Sequence, residues 1–260
     1  MATDSYPEFL GFKSGASGTH TSRTIMVEEL SALLAAVEVG ATRDDFVRAI
    51  VEDNVLGKST ASTRRLTAQR LSELYALDTS VPIFRALSRL WAVDRESQAV
   101  LALLCSLARD PLLRATAPAV LGLRTGQSFD RDAIATALRL YAGSRLNEST
   151  LDKVVRNAAS SWTQSGHLSG RTLKRRQHIT PTPASVTMSL FLGYLQGLRG
   201  PSLLRTNWCN VLDSAPETLA NIAARSSMAG FMRYRQAEEV VEINFPDLLT
   251  RQEIERASHG

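Results

Sequence analysis

The apolar positions of this chain recur mostly at helical spacing. From Ser22 onward, Ile25, Met26, Leu30, Leu33, Leu34 and Val37 keep to one face and Gly40 supplies a stop, so a first helix is expected there. Thr42 followed by Asp45 has the spacing of a capping box, opening a second helix through Phe46, Val47, Ile50 and Val51 that breaks near Gly57. Ser59 or Ser62 caps a third, with Leu66, Leu71, Leu74 and Tyr75 facing inward and Arg64, Arg65 and Arg70 facing water or phosphate. Pro82 and Pro111 stand where a first turn tolerates a missing N–H, giving helices near 81–93 and 111–121, with others over 97–108 and 130–142.

Ser149 and Asp152 form a further capping pattern, starting a helix through Leu151, Val154, Val155, Ala158, Ala159 and Trp162. The period then changes. Gly166-His167-Leu168-Ser169-Gly170 reads as a turn, and 171–180 alternates apolar and cationic residues as a short hairpin before Pro181 and Pro183. Helices near 184–198 and 203–212 follow. Ser214 with Glu217 is a third capping box, with Pro216 in the first turn of a helix that runs to Gly230. Residues 231–235 and 240–245 alternate around Ala237-Glu238-Glu239 as a second hairpin, and the tail after Pro246 reads as a frayed polar helix.

The fold class expected is all-α, a helical bundle with two short β-hairpin wings in winged-helix-like units. Residues 1–21, rich in Gly and Ser, read as a flexible arm that Phe9, Leu10 and Phe12 could dock on the body. Residues 22–143 read as an N-terminal helical domain, and 144–260 as a C-terminal helical domain carrying both winged units.

Charge changes this picture by its distribution. The net charge is only +4, but residues 54–72 carry Lys58, Arg64, Arg65 and Arg70 with no acid, and 145–180 carry seven cations against Glu148 and Asp152. Together they exceed the whole chain's excess, so the remainder is net acidic and the basic residues are sorted into two stretches. Helix followed by basic hairpin is the layout of a winged-helix DNA reader, a variant of the helix-turn-helix. Lys153, Arg156, Asn157, Ser160, Ser161 and Gln164 form the polar face of the helix. Small hydroxyls there permit close approach, and Asn or Gln pairs with adenine. Arg171, Lys174, Arg175 and Arg176 supply the wing with cations for phosphate or a narrow minor groove. Lys58, Ser59, Thr60, Arg64 and Arg65 gather at a helix N-terminus, where N–H groups and cations suit a phosphate. In the second unit Arg225, Ser226, Ser227, Arg233 and Arg235 are offset by Glu238, Glu239 and Glu242, which favours a structural or protein-contact role.

Several chemistries are disfavoured. Cys105 and Cys209 lie in apolar surroundings without close-spaced partners, so neither a disulfide framework nor a zinc site is expected, and both read as reduced core residues. No phosphate-binding glycine loop, His-Glu metal motif or nucleophile elbow is present. Asp44, Asp45, Asp130 and Asp132 read as helix-start charges, and His167 and His178 as polar loop residues. No catalytic residue, metal or cofactor is expected. No signal peptide or spanning segment is expected either, the most apolar stretch, 99–107, being too short, which favours a cytoplasmic protein.

Three strings carry a family resemblance: Ser22-Arg23-Thr24 with Glu28-Glu29-Leu30, then Asn54-Val55-Leu56-Gly57-Lys58-Ser59-Thr60, and Trp162-Thr163-Gln164-Ser165-Gly166-His167-Leu168. In these, and in element order from about 22 to 246, the chain resembles the BrxA family of BREX phage-defence systems. The resemblance implies a small all-helical antiviral-defence protein with winged-helix-like parts that binds double-stranded DNA beside other BREX proteins. It does not fit the inner-membrane description once attached to that family. Two other classes compete with a double-stranded DNA partner. One is an RNA-binding, antitermination-like helical protein, for which Trp162 and Tyr141 are the aromatics nearest the basic stretch; the other is a protein–protein adaptor.

Overall fold

The computed structural model describes residues 6–237 and 240–259 and is mainly helical, with two small antiparallel two-stranded sheets. The N-terminal part contains α1 (Val27–Ala36), α2 (Arg43–Val51), α3 (Ala61–Tyr75) and α4 (Pro82–Val93). Next come α5 (Gln98–Arg109), α6 (Pro111–Leu121), α7 (Arg131–Ala142) and α8 (Glu148–Gln164), then β1 (Leu168–Ser169) and β2 (Arg175–Arg176). The remainder is α9 (Pro183–Leu195), α10 (Asn207–Asn210), α11 (Pro216–Met228), β3 (Arg233–Ala237), β4 (Val240–Asn244) and α12 (Arg251–His259). No helix among the described residues is long and apolar enough to cross a membrane.

Two helices organise the core. From Val100 to Arg109 every residue of α5 is buried, and so is every residue of α9 from Ala184 to Leu195; helices apolar all round belong in an interior. α5 packs against α3, α4, α6, α8 and α9, and α9 packs against α4, α10 and α11. The buried apolar residues form one continuous cluster from Leu10 to Leu249. The division expected at 143/144 therefore does not separate two cores. It falls between α7 and α8, which pack on each other and on α6, with Ile134, Leu138, Leu151, Val154 and Val155 all in that cluster.

Each winged unit is thereby completed on its N-terminal side. In the first, α6 is followed by residues 126–129, α7, α8, β1 and β2. Ser128 bridges Arg175 in antiparallel fashion, and the N–H groups of Gly126, Phe129 and Arg176 bond Arg176 O, Lys174 O and Gln127 O. β2 thus lies between 126–129 and β1, which it pairs through Leu168↔Arg176 and Ser169↔Arg175. The second unit repeats the order with α9, a 3-10 turn over 200–205 that touches β4, then α10, α11, β3 and β4. The winged units expected from sequence are present, but the first strands lie at 168–169 and 175–176. The connecting loop is therefore 170–174, and 166–170 is not the hairpin turn.

Several caps differ from expectation for local reasons. The Thr42–Asp45 capping box forms as expected. α8 is capped by Asn147, whose Oδ1 accepts the Thr150 N–H at 2.8 Å, so Ser149 lies already inside the helix. α3 is capped by Thr60. No side chain caps α11, which starts after Ala215. Leu66 stays 38% exposed. The tail is α12, held to α4 by an Arg85–Glu253 ion pair.

The N-terminal stretch is not a loose arm where it is described; residues 1–5 of the expected arm lie outside the described residues. Leu10, Phe12, Thr19 and His20 are buried. Arg109 Nη1 donates to Gly11 O at 2.5 Å, and Arg114 Nη2 to Lys13 O at 2.8 Å. The decisive contact is at Asp110. Its Oδ1 accepts the N–H groups of Leu112 and Leu113 and so caps α6, while Oδ2 accepts His20 N at 3.0 Å and meets His20 Nδ1 at 2.7 Å. Gly18 makes this possible, because a Cβ there would sit 2.1 Å from Asp110 Oδ1. Burial pushes the Asp110 carboxyl pKa up, but the neighbouring His20 and the N–H donors outweigh burial and leave it below the ordinary carboxylate value. Breaking a buried pair on one side strands the other. Asp110→Asn and His20→Leu are each expected to cost about 3–5 kcal/mol in urea unfolding. A change below about 0.5 kcal/mol is what a peripheral arm would give.

Candidate nucleic-acid interface

The expected polar face of α8 divides into two halves with different neighbours. In the N-terminal half Ser149, Asp152, Lys153 and Arg156 are exposed. The C-terminal half is covered by the segment that follows the 3-10 turn Thr19–Thr21. Asn157 Nδ2 donates to His20 O at 2.8 Å, Ser161 Oγ accepts Ile25 N–H at 3.1 Å, and Gln164 Oε1 accepts Val27 N–H at 3.3 Å. Ser161 is 0% exposed, and Ser160, half-buried, accepts from Gln164 Nε2. Asn157, Ser161 and Gln164, expected to approach a groove, are polar because they dock a backbone strand of the same protein. Helical periodicity marks a polar face without saying what covers it.

Ser161 also completes an Asp110–His20–Ser161 chain, with His20 Nε2 2.8 Å from its Oγ. The order resembles a hydrolase triad. All three side chains are buried, and Ser161 Oγ is occupied by Ile25 N–H and by its own bond to Asn157 O at 2.8 Å. The chain acts as a latch between α6, the N-terminal segment and α8.

The wing divides similarly. Successive residues of a strand face opposite sides, so Arg175 is exposed and bonds Gly126 O at 3.0 Å, while Arg176 is 2% exposed and pairs with Asp213. Arg176, expected to reach phosphate, instead ties the wing to the loop between α10 and α11, where Asp213 also accepts Ile179 N–H at 3.0 Å. Arg171 is exposed without an ion pair among the described residues, and Lys174 is half-buried with Nζ 2.8 Å from Thr163 Oγ1. On α8, Lys153 is likewise unpaired among the described residues, whereas Arg156 shares Asp152 with Arg131 at 3.0 and 2.8 Å. Arg131 and Arg139, which pairs Glu148 at 2.9 Å, are basic residues of this surface that sequence reading passed over. Their only sequence signal was their place on the helix before α8.

Among the described residues, no direct bond joins the second basic stretch to this surface. Ser59 and Arg65 are exposed, Thr60 Oγ1 accepts the Thr63 N–H as the α3 cap, Arg64 is half-buried, and Lys58 pairs with Glu29 at 3.2 Å. Thr19, bonded to Glu73 on α3, places the N-terminal segment between α3 and α8.

His167 is not a polar loop residue. It is fully buried, edge-on to Trp162 at 5.0 Å between ring centroids, with Nδ1 2.9 Å from Ser165 Oγ and Nε2 2.8 Å from Val211 O. His178 is exposed. Trp162 is buried with Nε1 donating to Thr116 Oγ1, so it offers no face to a splayed base, and Tyr141 is tied through its hydroxyl to Gly15 O. In the second unit the outer face of α11 exposes Thr218, Asn221, Ala224, Arg225 and Met228, while Ser226 is buried and Ser227 half-buried. Arg233, Arg235 and Glu242 are exposed on its hairpin; Glu238 and Glu239 lie outside the described residues. Between the units runs a cleft of about 860 Å³ bordered by Arg114, Arg205, Trp208 and Asp213. Burial pushes the Cys105 thiol up to about 12 and Cys209 up to about 11, so both stay protonated, and among the described residues no cluster suits a metal.

No family model matches the chain, and no curated protein matches it.

Burial pushes His167 down to about 4, with Arg176 acting in the same direction and the Val211 and Asp213 contacts opposing. In the unfolded chain a histidine titrates near 6.5, so between about pH 6.5 and 4 the unfolded state binds the extra proton. Stability is expected to fall on acidification through that window, by up to about 1.4 kcal/mol per pH unit. His167→Asn is expected to lower stability at pH 7 yet flatten the slope of melting temperature against pH; an unchanged slope would assign the acid sensitivity elsewhere.

Proposed function

We propose that this protein is a non-enzymatic double-stranded DNA-binding accessory protein that docks the N-terminal half of α8 and the 170–175 wing on the duplex. The observation that supports this reading is that Lys153 and Arg156 stand exposed on α8, the second of two packed helices, and that the loop after that helix exposes Arg171 and Arg175. Helix-turn-helix proteins use the N-terminal residues of that helix in the major groove, which is the half of α8 left uncovered. Arg and Lys suit guanine O6 and N7, and Asp152 suits a cytosine amino group. The wing cations suit phosphate. Burial of Trp162 removes one of the two aromatics nearest the basic stretch from base stacking and leaves only Tyr141, 43% exposed, which weakens an RNA reading. The resemblance to the BrxA family supports a place beside other BREX defence proteins, and a cytoplasmic location follows from that role.

Binding to a fluorescent duplex is expected to weaken steeply with salt, with a log–log slope of about −3 to −5 for four or five neutralised phosphates. Arg171→Ala and Arg175→Ala should each reduce the slope by about 1, whereas Lys153→Ala and Arg156→Ala should each cost about 1–3 kcal/mol and relax specificity at the base they read. Arg176→Ala should instead lower the melting temperature. Absence of duplex binding at low salt, equal binding by the quadruple alanine variant with an unaltered circular dichroism spectrum, or preference for single-stranded RNA would each overturn the reading.

A further inference from the structure

Leu173 lies in the loop 170–174 of the first wing and is 58% exposed. An isolated exposed leucine is ordinary on a protein surface, so its setting carries the argument. The loop 170–174 is built tightly around it. Gly170 has φ +103°, and a Cβ there would meet Leu173 O at 2.2 Å, so the backbone turns back on itself at a position only glycine fills without strain. Lys174 Nζ reaches both Thr163 Oγ1 at 2.8 Å and Gly170 O at 3.2 Å, and Lys174 O accepts the Phe129 N–H at 2.9 Å. The loop is thus clamped to α8 on one side and to the 126–129 segment on the other. Arg171 and Arg175 stand exposed on either side of Leu173.

A clamped apolar tip between cations is the arrangement with which minor-groove proteins unstack a base step. The cations hold the phosphates while the apolar side chain enters between bases and kinks the duplex. Resting on the DNA-binding reading above, we infer that Leu173 is a wedge, and that this protein bends the duplex it binds at the step its wing contacts.

The test uses the full chain and a duplex of about 25 base pairs carrying a donor and an acceptor at its ends, with 2-aminopurine placed in turn along the site. Wild type is expected to shorten the end-to-end distance, consistent with a bend of about 20–90°, and to raise 2-aminopurine fluorescence at one step. Leu173→Ala and Leu173→Ser are expected to lose both signals while keeping the salt slope of wild type and an affinity within about tenfold, because the phosphate contacts remain. Leu173→Met should restore them. A wild-type complex that is straight and fully stacked, or a Leu173→Ala complex bent as wild type is, overturns the wedge while leaving DNA binding intact. Failure of wild type to bind the duplex at all overturns both.

Discussion

The carboxylate of Asp110 is the point on which the first winged unit depends. One oxygen caps α6, the first helix of that unit, and the other receives the backbone and ring of His20. Through His20 the same charge reaches Ser161 on α8, so a single buried anion fixes three segments far apart in sequence. A carboxylate this deep is tolerated only because its oxygens are fully engaged by N–H donors. The consequence for function is direct. The position of α8, and of the wing that follows it, is set from inside by a polar latch, and the outer residues of α8 are relieved of any packing duty.

That latch also limits what α8 can read. The segment from His20 to Val27 lies along the C-terminal half of the helix and takes up Asn157, Ser161 and Gln164. A duplex approaching α8 would meet Lys153, Arg156 and Asp152 first, with the Arg131–Asp152–Arg156 network within about the first three turns of the helix. These pairs are exposed and weak, so exchanging Asp152 for a phosphate costs the arginines little. Asn157 and Gln164, the amides that could pair with adenine, are committed elsewhere, so if α8 meets a duplex as proposed, its exposed half suits guanine and cytosine edges.

Much of this was legible in the order of residues. The 3.6-residue period marks α1 to α9 and α11, and the Thr42–Asp45 capping box forms as its spacing implies. The wing was legible as a change from helical to alternating pattern, though its register was displaced because glycines at 166 and 170 both looked like turn residues and only the pairing of Ser169 with Arg175 decides between them. Two things were not legible. The isolated bridge at Ser128 is too short to show a period. The inward course of Asn157, Ser161 and Arg176 depends on partners at 20, 25 and 213, and a polar helix face looks the same whether water or a distant backbone satisfies it. For Arg175 and Arg176 the alternation of a strand did carry a signal: adjacent cations there point to opposite faces, and in this wing one of those faces packs on the body.

The two winged units are coupled by the residues that sequence assigned to the wing. Arg176 and Ile179 bind Asp213, and His167 binds Val211 O, so the base of the first wing and the loop leading into α11 share one hydrogen-bonded network. Such a network is geometrically stricter than an apolar seam, because a shift that breaks one bond leaves a buried donor unsatisfied. The relative setting of α8 and α11 is therefore part of the fold. If the first unit holds a duplex, the open face of α11, with Asn221, Arg225 and the 89% exposed Met228, is carried at a fixed angle to it. A bend introduced at the first wing then changes where the rest of the duplex runs relative to that second face, which makes the wing tip, more than net charge, the place where this architecture would convert binding into a shaped complex.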